Sequence, residues 1–257
     1  MIIVEPTKNL TGVTVQGDYY DFSELAESIY RMTLIKESLE DYHYGLKSRL
    51  QATYFDMRLI SNTDRKVILK ENKLAKKELE ALNLAASAKN VYYSVNILFP
   101  EAIFFAAAVP RLYLNASLSY GLAGKRRMEY DFSPAFKYAD YLKDEANLNL
   151  LCAGIWQALG KVIGDEELQE LIRLRTRVRE TYFNYVTNYI DKLNLELIKT
   201  DVSKRNEKIK DIAKRIIEKS KDYLKLEEDY RSEAEKRGKS IYDLYNPDFQ
   251  GPKESEW

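Results

Sequence analysis

The chain has 257 residues, of which 45% are apolar, so it can form the core of one large domain or two small ones. Its 40 basic and 40 acidic residues cancel, so no overall field draws the chain onto nucleic acid or an anionic membrane. A single cysteine, Cys152, excludes a disulfide framework and a cysteine-rich zinc site within one chain. Its apolar neighbours predict a core position for it. Few Gly and Pro residues and many Lys and Glu residues indicate a mostly helical fold.

The N-terminal segment has the pattern of a hairpin followed by a helix. Residues 2–4 and 13–16 are short β-branched runs on either side of the turn-rich segment PTKNLTG, which predicts two paired strands. Asp21 then precedes apolar residues at helical spacing, and Glu24 lies three residues later, as in a capping box. We therefore expect a helix that directly follows Asp21, with Asp21 as its cap.

Residues 46–60 fit two patterns. Their first half has apolar residues at helical spacing, whereas in their second half apolar residues alternate with Asp56 and Arg58, as in a strand. We favour a strand that ends at the polar turn SNTD, with residues 66–70 as a candidate returning strand.

The most apolar part of the chain, residues 92–117, contains Glu101 and two prolines. Its longest uninterrupted apolar run is far shorter than the roughly 20 residues of a membrane span, so the sequence predicts no membrane helix. Pro100 and Glu101 instead have the pattern of the first turn of a core helix, which Pro110 ends. The alternative for Glu101 is a buried general base or metal ligand. No second carboxylate or histidine lies at a useful helical spacing from it.

Helical patterns dominate the rest of the chain. Residues 74–88 are good helix formers, and residues 90–98 form an apolar linker or a short strand. Ser133 and Pro134 predict a helix start. That helical region continues to Ile163 and has a candidate break near Asn147.

The C-terminal third predicts two long helices, residues 165–198 and residues 205–236, paired antiparallel across a short connection. The first would be on the order of 50 Å long. The second carries a partial coiled-coil seam of residues spaced seven apart, Ile209, Ile216, Tyr223 and Tyr230. The tail, residues 246–257, is expected to be loose.

The motifs for common chemistries are incomplete. The only histidine, His43, cannot supply a two-histidine metal site, and no GxSxG segment presents a serine nucleophile. Lys125 and Arg127 lie in a basic loop that is compatible with a phosphate or RNA contact. Glu129 and Asp131 are interleaved with the aromatic residues that follow, so a solvated loop is favoured and nucleic-acid binding is not expected. The sequence predicts no cofactor and no metal ion.

Two arginines and several carboxylates form the candidate ligand site. Asp56, Arg58, Asp64 and Arg65 lie in or beside the turn at residues 61–64 and could hold a small anion or pair with each other. Glu101 could complete such a pocket.

Three segments together resemble an uncharacterised bacterial family, a domain of unknown function. The segments are PTKNLTGVTVQGDYYDFSELAESIY, YFDMRLISNTDRKV and NVYYSVNILFPEAIFF, all within the first 120 residues. The middle segment departs from the family pattern at Phe55 and Leu59, where a Tyr and a His are expected. The resemblance implies a bacterial, cytoplasmic protein and transfers no functional residue.

The sequence as a whole predicts an α+β, mostly helical fold. A small α+β portion (residues 1–72), a helical core portion (73–164) and a long helix pair (165–245) precede the tail and form one continuous unit. The favoured function is non-catalytic: the protein binds itself or another protein through helical surfaces that include the seam residues. The alternative is an enzyme or a small-anion-binding protein with a pocket near Asp56, Arg58, Arg65 and Glu101.

Overall fold

The computed structural model describes residues 1–34, 44–58, 67–72, 76–83, 85, 87–113, 116–117, 137–178, 182, 184–241, 244 and 257. It confirms the mostly helical α+β class. The strands are β1 (Ile3–Pro6), β2 (Gly12–Gly17), β3 (Val67–Glu71) and β4 (Lys89–Leu98). The helices are α1 (Tyr19–Leu34), α2 (Tyr44–Arg58), α3 (Lys76–Ala81), α4 (Phe99–Ala108), α5 (Tyr138–Ile163), α6 (Asp165–Arg177), α7 (Asn188–Ile198), α8 (Arg205–Glu218) and α9 (Lys221–Arg237).

The strands form one antiparallel sheet in the order β1-β2-β4-β3. The predicted N-terminal hairpin is confirmed as β1 and β2, and β3 includes most of the candidate returning strand. Strand β4 has ten residues and is longer than the linker or short strand predicted for residues 90–98. It pairs with β2 on one side and β3 on the other, so β3 is an edge strand of the described sheet.

Helix α1 begins one turn earlier than predicted. The backbone N–H of Asp21 donates to Asp18 Oδ1, and the backbone N–H of Asp18 donates to Asp21 Oδ2, both at 2.9 Å. This reciprocal pair satisfies backbone donors that the first turn of a helix leaves unpaired. Asp18 is therefore the capping residue, and Asp21 has the position that the sequence analysis gave to Glu24.

The favoured strand within residues 46–60 is wrong, because helix α2 continues to Arg58. Leu50, Tyr54 and Met57 are buried at helical spacing, whereas Phe55 is 58% exposed. The alternation of Phe55 and Met57 with charged residues therefore did not mark a buried strand face. The helical spacing in the first half of the segment was the informative pattern.

The predicted helix at residues 74–88 is shorter in the structure, where α3 ends at Ala81. Asn83 follows in a left-handed backbone conformation with φ 53°, which does not continue a helix. The chain then enters β4 at Lys89.

Helix α4 is the predicted core helix. Pro100 lies in its first turn, and Phe99 and residues 102–108 are buried all round the helix. Pro110 lies in a short 3₁₀ turn, Val109–Arg111, that ends the helix as expected. Helix α4 packs against β2, α5, α7 and α8. Among the helices that the structure describes, none is both long and apolar enough to cross a bilayer.

Helix α5 is unbroken, so the candidate break near Asn147 is wrong. The Asn147 side chain leaves the helix backbone intact and donates to Ser28 Oγ of α1 at 3.0 Å. The helix ends before Gly164, which has φ 93°, as the sequence predicts. The predicted start at Ser133 and Pro134 lies outside the described residues.

Each of the two predicted long helices is divided in the structure. Val178 is extended after α6, and Asn184 has φ 50°, so a non-helical stretch separates α6 from α7. Lys219 has φ 51° and separates α8 from α9. Left-handed conformations at Asn184 and Lys219 do not belong to a right-handed helix. The regular apolar spacing continued across both breaks and concealed them.

Buried apolar residues from the hairpin, α4 and the C-terminal helices belong to one hydrophobic cluster, for example Val15, Phe104 and Ile216. Cys152 is buried within this cluster, as its neighbours predicted. The three predicted portions therefore share one core.

Candidate functional site

Glu101 lies in the first turn of α4, where the sequence placed it, and meets the guanidinium of Arg49 from α2. Arg49 Nε donates to Glu101 Oε2 at 2.8 Å, and Arg49 Nη2 donates to Glu101 Oε1, which gives a bidentate pair. Both side chains are largely buried, with exposed fractions of 13% and 22%. Bidentate arginine–carboxylate pairs are among the strong hydrogen-bonded pairs in proteins.

Helix α7 adds a second carboxylate and an amide to this pair. Arg49 Nη2 also donates to Asp191 Oδ1 at 2.7 Å, and Arg49 Nη1 donates to the carbonyl of Thr187 at 2.9 Å. Asn194 Nδ2 donates to Glu101 Oε1 at 2.8 Å. We call Arg49, Glu101, Asp191 and Asn194 the Glu101 cluster. It links α2, α4 and α7 through one guanidinium.

The electrostatics of the Glu101 cluster favour the charged arginine. Burial alone would lower the pKa of Arg49, but Glu101 and Asp191 outweigh burial and keep that pKa above its ordinary value. Because Glu101 accepts hydrogen bonds from both Arg49 and Asn194, it is not an unpaired base. The arrangement stabilises the packing of three helices and offers no free nucleophile.

Two polar atoms near this cluster have no hydrogen-bond partner in the described part of the chain. They are the hydroxyl of Tyr185 and Oδ1 of Asn194, both buried. Burial raises the pKa of Tyr185 well above its ordinary value, so the hydroxyl stays protonated. Unpaired buried polar atoms lower the stability of the fold. The ion pairs beside them must offset this cost.

The predicted anion pocket is not assembled by the described residues. Asp56 and Arg58 lie in the exposed last turn of α2, where Arg58 Nη1 donates to the Tyr54 hydroxyl at 2.7 Å. Asp64 and Arg65 lie outside the described residues. Glu101 pairs with Arg49 of α2 and not with Arg58, which lies on the same helix as Arg49.

The sequence reasoning missed the two partners of Glu101, Arg49 and Asn194, and no local signal could have identified them. Arg49 is separated from Glu101 by 52 positions, and Asn194 is separated from Glu101 by 93 positions. Local periodicity and capping patterns do not relate residues at such distances.

The predicted interface residues are mostly internal. Ile209, Ile216 and Tyr223 are fully buried in the chain's own core, and Tyr230 is partly buried against it. The Tyr223 ring stacks on Tyr185 with centroids 4.5 Å apart, and its hydroxyl accepts the Val186 backbone N–H at 3.1 Å. Their seven-residue spacing therefore marks an intramolecular contact.

The remaining candidate groups do not add a chemical site. Burial raises the pKa of Cys152 to about 12, so its thiol is unreactive near neutral pH. His43 and the basic loop with Lys125 and Arg127 lie outside the described residues. In the regions that the structure covers, no group of three or more His, Cys, Asp or Glu residues could hold a metal ion.

A second polar cluster joins α7 to the junction of α8 and α9. Arg215 Nη1 donates to Glu196 Oε2 at 2.7 Å, and Tyr189 donates to Asp222 Oδ2 at 2.7 Å. Burial would raise the pKa of Asp222, but hydrogen bonds from Ser220, Tyr189 and Arg215 hold it below its ordinary value. The charged form of Asp222 is therefore favoured in the fold.

This lowered pKa predicts a pH-dependent contribution to stability. Because the pKa of Asp222 is lower in the folded than in the unfolded chain, its contribution is present above about pH 4 and is lost as pH falls through the folded value. We expect Asp222→Asn to be less stable than wild type in urea at pH 7, with a difference that shrinks by pH 3. A difference of the same size at both pH values would contradict this assignment.

Comparison with curated proteins and with solved structures finds no match. A family model described as a domain of unknown function (DUF6904) matches residues 2–257, well beyond the first 120 residues that carry the resemblance noted in the sequence. The chain therefore belongs to the DUF6904 family.

Proposed function

We propose that this chain is a non-catalytic interaction protein that self-associates through the outer edge of its sheet. The observation that carries the proposal is an exposed apolar patch at β3. Val67 and Leu69 of β3 are 55% and 60% exposed, and Val91 of β4 is 49% exposed. Contiguous exposed apolar side chains are typical of interaction sites. We call Val67, Leu69 and Val91 the edge patch.

The edge patch extends a face that is otherwise buried. Leu69 lies directly opposite Val91, so both project from the same face of the sheet. Val95 and Ile97 project from that face too, because side chains alternate along a strand, and both are buried. The apolar face therefore continues past the helices that cover its centre.

Within the described sheet, no strand pairs with the outer edge of β3. The N–H of Asn72 donates to the carbonyl of Ala88 at 3.0 Å, and these two residues continue the β3–β4 register. Hydrogen-bonded pairs alternate in an antiparallel ladder, so Ile68 and Lys70 direct their backbone groups to β4. The backbone N–H and C=O groups that point away from β4 are accordingly those of Val67, Leu69 and Glu71, as expected for an edge strand.

A second copy of this chain is the occupant that fits this edge. An antiparallel arrangement centred on Leu69 places Leu69 opposite its copy and Val67 opposite Glu71 of the second copy. This register uses the outward backbone groups of all three residues. The 40 basic and 40 acidic residues leave no net charge to repel a second copy.

The sequence predicts self-association through helical surfaces, whereas we assign self-association to the edge of the sheet. Three seam residues of α8 and α9 are buried within the chain, whereas the edge patch is exposed. A non-catalytic role is supported by the Glu101 cluster, whose acid is paired with Arg49. We further propose a cytoplasmic location, in keeping with one buried, unpaired cysteine.

Light scattering on the purified chain tests self-association. We expect a molar mass about twice the 30.0 kDa of one chain at micromolar concentration. The variant Leu69→Lys places a charge at the proposed two-fold axis and should give the mass of a single chain, with an unchanged circular dichroism spectrum. Leu224→Lys is the matched control, because Leu224 is 52% exposed on α9. A wild-type monomer, or a Leu69→Lys dimer, would refute the proposal.

A further inference from the structure

We infer that a groove between α6 and α8 binds the anionic group of a small phosphorylated or carboxylated ligand. The groove has a volume of about 400 Å³, within the size range of small-molecule sites. It is lined by Glu170, Leu171, Arg173, Leu174, Arg177, Lys214 and Glu218. This site is separate from the edge patch and from the Glu101 cluster.

Three cations converge on the groove. Arg173 and Arg177 lie one turn apart on the same face of α6, and Lys214 faces them from α8. Arg175, between the two, turns the other way and donates to the carbonyl of Ala107 at 3.3 Å. Of these three arginines of α6, Arg175 therefore contacts the core helix α4, and the other two line the groove.

Carboxylates of the described residues lie close to these cations but not within ion-pair distance of them. Within the described residues, no ion pair is formed by Arg173, Arg177 or Lys214. Glu167, which precedes Arg173 on α6, instead pairs with Lys210 of α8 at 3.0 Å. Converging like charges repel each other, and an anion that neutralises them is stabilised by all of them.

The positions of the cations are not explained by the helix ends alone. Arg177 is the last residue of α6, where a positive charge favours the helix dipole. Arg173 and Lys214 precede the last turn of their helices, where the effect of the helix dipole has declined. Arginine and lysine side chains are common donors to phosphate and carboxylate oxygens.

The other lining residues limit what can bind. Leu171 is buried and Leu174 is partly buried, so part of the groove is apolar. Glu170 and Glu218 also line the groove, and their charges disfavour a ligand with many negative charges. The geometry therefore points to a ligand with one anionic group and a compact, partly apolar or cationic body.

Thermal unfolding of the full chain with inorganic phosphate as the probe, at constant ionic strength, tests this site. We expect a saturable rise in Tm for the wild type. The double variant Arg173→Ala/Arg177→Ala should weaken the apparent affinity at least tenfold. The control Arg231→Ala/Arg237→Ala removes two exposed arginines of α9, which pair with Glu227 and Glu233, and should bind like the wild type.

A second double variant is expected to strengthen binding. Misfolding weakens binding, so it does not explain such a gain. Glu170→Gln/Glu218→Gln removes the competing carboxylates and should lower the phosphate concentration at half saturation. The inference is overturned if the wild type shows no saturable shift, or if the groove variant and the α9 control respond alike. It is also overturned if the glutamine variant binds phosphate no better than the wild type does.

Discussion

Replacing Arg49 with alanine should lower the free energy of unfolding by about 3–5 kcal/mol, the usual cost of breaking a buried ion pair from one side. The substitution leaves Glu101 and Asp191 largely buried with no cation between them. It also removes the donor to the carbonyl of Thr187 and thereby unlinks α2 from α7. Urea unfolding at pH 7, followed by circular dichroism, measures this difference.

A control on the same helix separates the cluster from a general effect of losing an arginine. Arg58 is exposed and donates to Tyr54, so Arg58→Ala should cost less than about 1 kcal/mol. Adding Glu101→Gln to Arg49→Ala should restore part of the lost stability, because it removes one unpaired buried charge. Equal costs for Arg49→Ala and Arg58→Ala would show that the Glu101 cluster contributes little.

Gly12→Ala should destabilise the fold by at least about 3 kcal/mol, at or above the upper end of overpacking effects. A Cβ at residue 12 would lie 2.0 Å from the carbonyl oxygen of Ile97 and 2.9 Å from Cα of Leu98. Both are backbone atoms of β4, so no side-chain rotation relieves the clash. Strand β2 must separate from β4, which disrupts the centre of the sheet.

Gly238→Ala is the matched control for this prediction. Gly238 follows α9 with φ 60°, and a Cβ there would meet no atom within 4 Å. Its cost should be limited to about 1–2 kcal/mol for a left-handed backbone conformation. Thermal unfolding of both variants compares the effects directly. Similar Tm losses would mean that the contact between Gly12 and β4 is looser than the structure indicates.

Local sequence signals predicted the parts of the fold that depend on neighbouring residues. The hairpin, the Pro100–Glu101 helix start and the helix end before Gly164 all follow from turn, cap and dipole preferences within a few residues. The break between α6 and α7 did not follow from them. There, apolar spacing continues through Val178 and Tyr182 even though the backbone does not stay helical.

The candidate site depended on tertiary contacts, so much less of it could be predicted. Glu101 was identified as an acid beside a helix start, yet its partner comes from α2, which the sequence analysis had partly assigned as a strand. The seven-residue spacing of Ile209, Ile216 and Tyr223 correctly indicated a buried face. Spacing alone does not distinguish burial within one chain from burial between two chains.

Disulfide formation by Leu69→Cys is the most direct test of the central claim, self-association through the β3 edge. In the proposed register the two Leu69 Cα atoms lie about 5.5 Å apart, within the range that a disulfide requires. The natural Cys152 is buried and does not compete. We predict that mild oxidation gives a reducible dimer for Leu69→Cys and very little dimer for Leu224→Cys. Leu224 is exposed, so its variant measures cross-linking by random collisions. Equal cross-linking of the two variants, or none at residue 69, would contradict the claim.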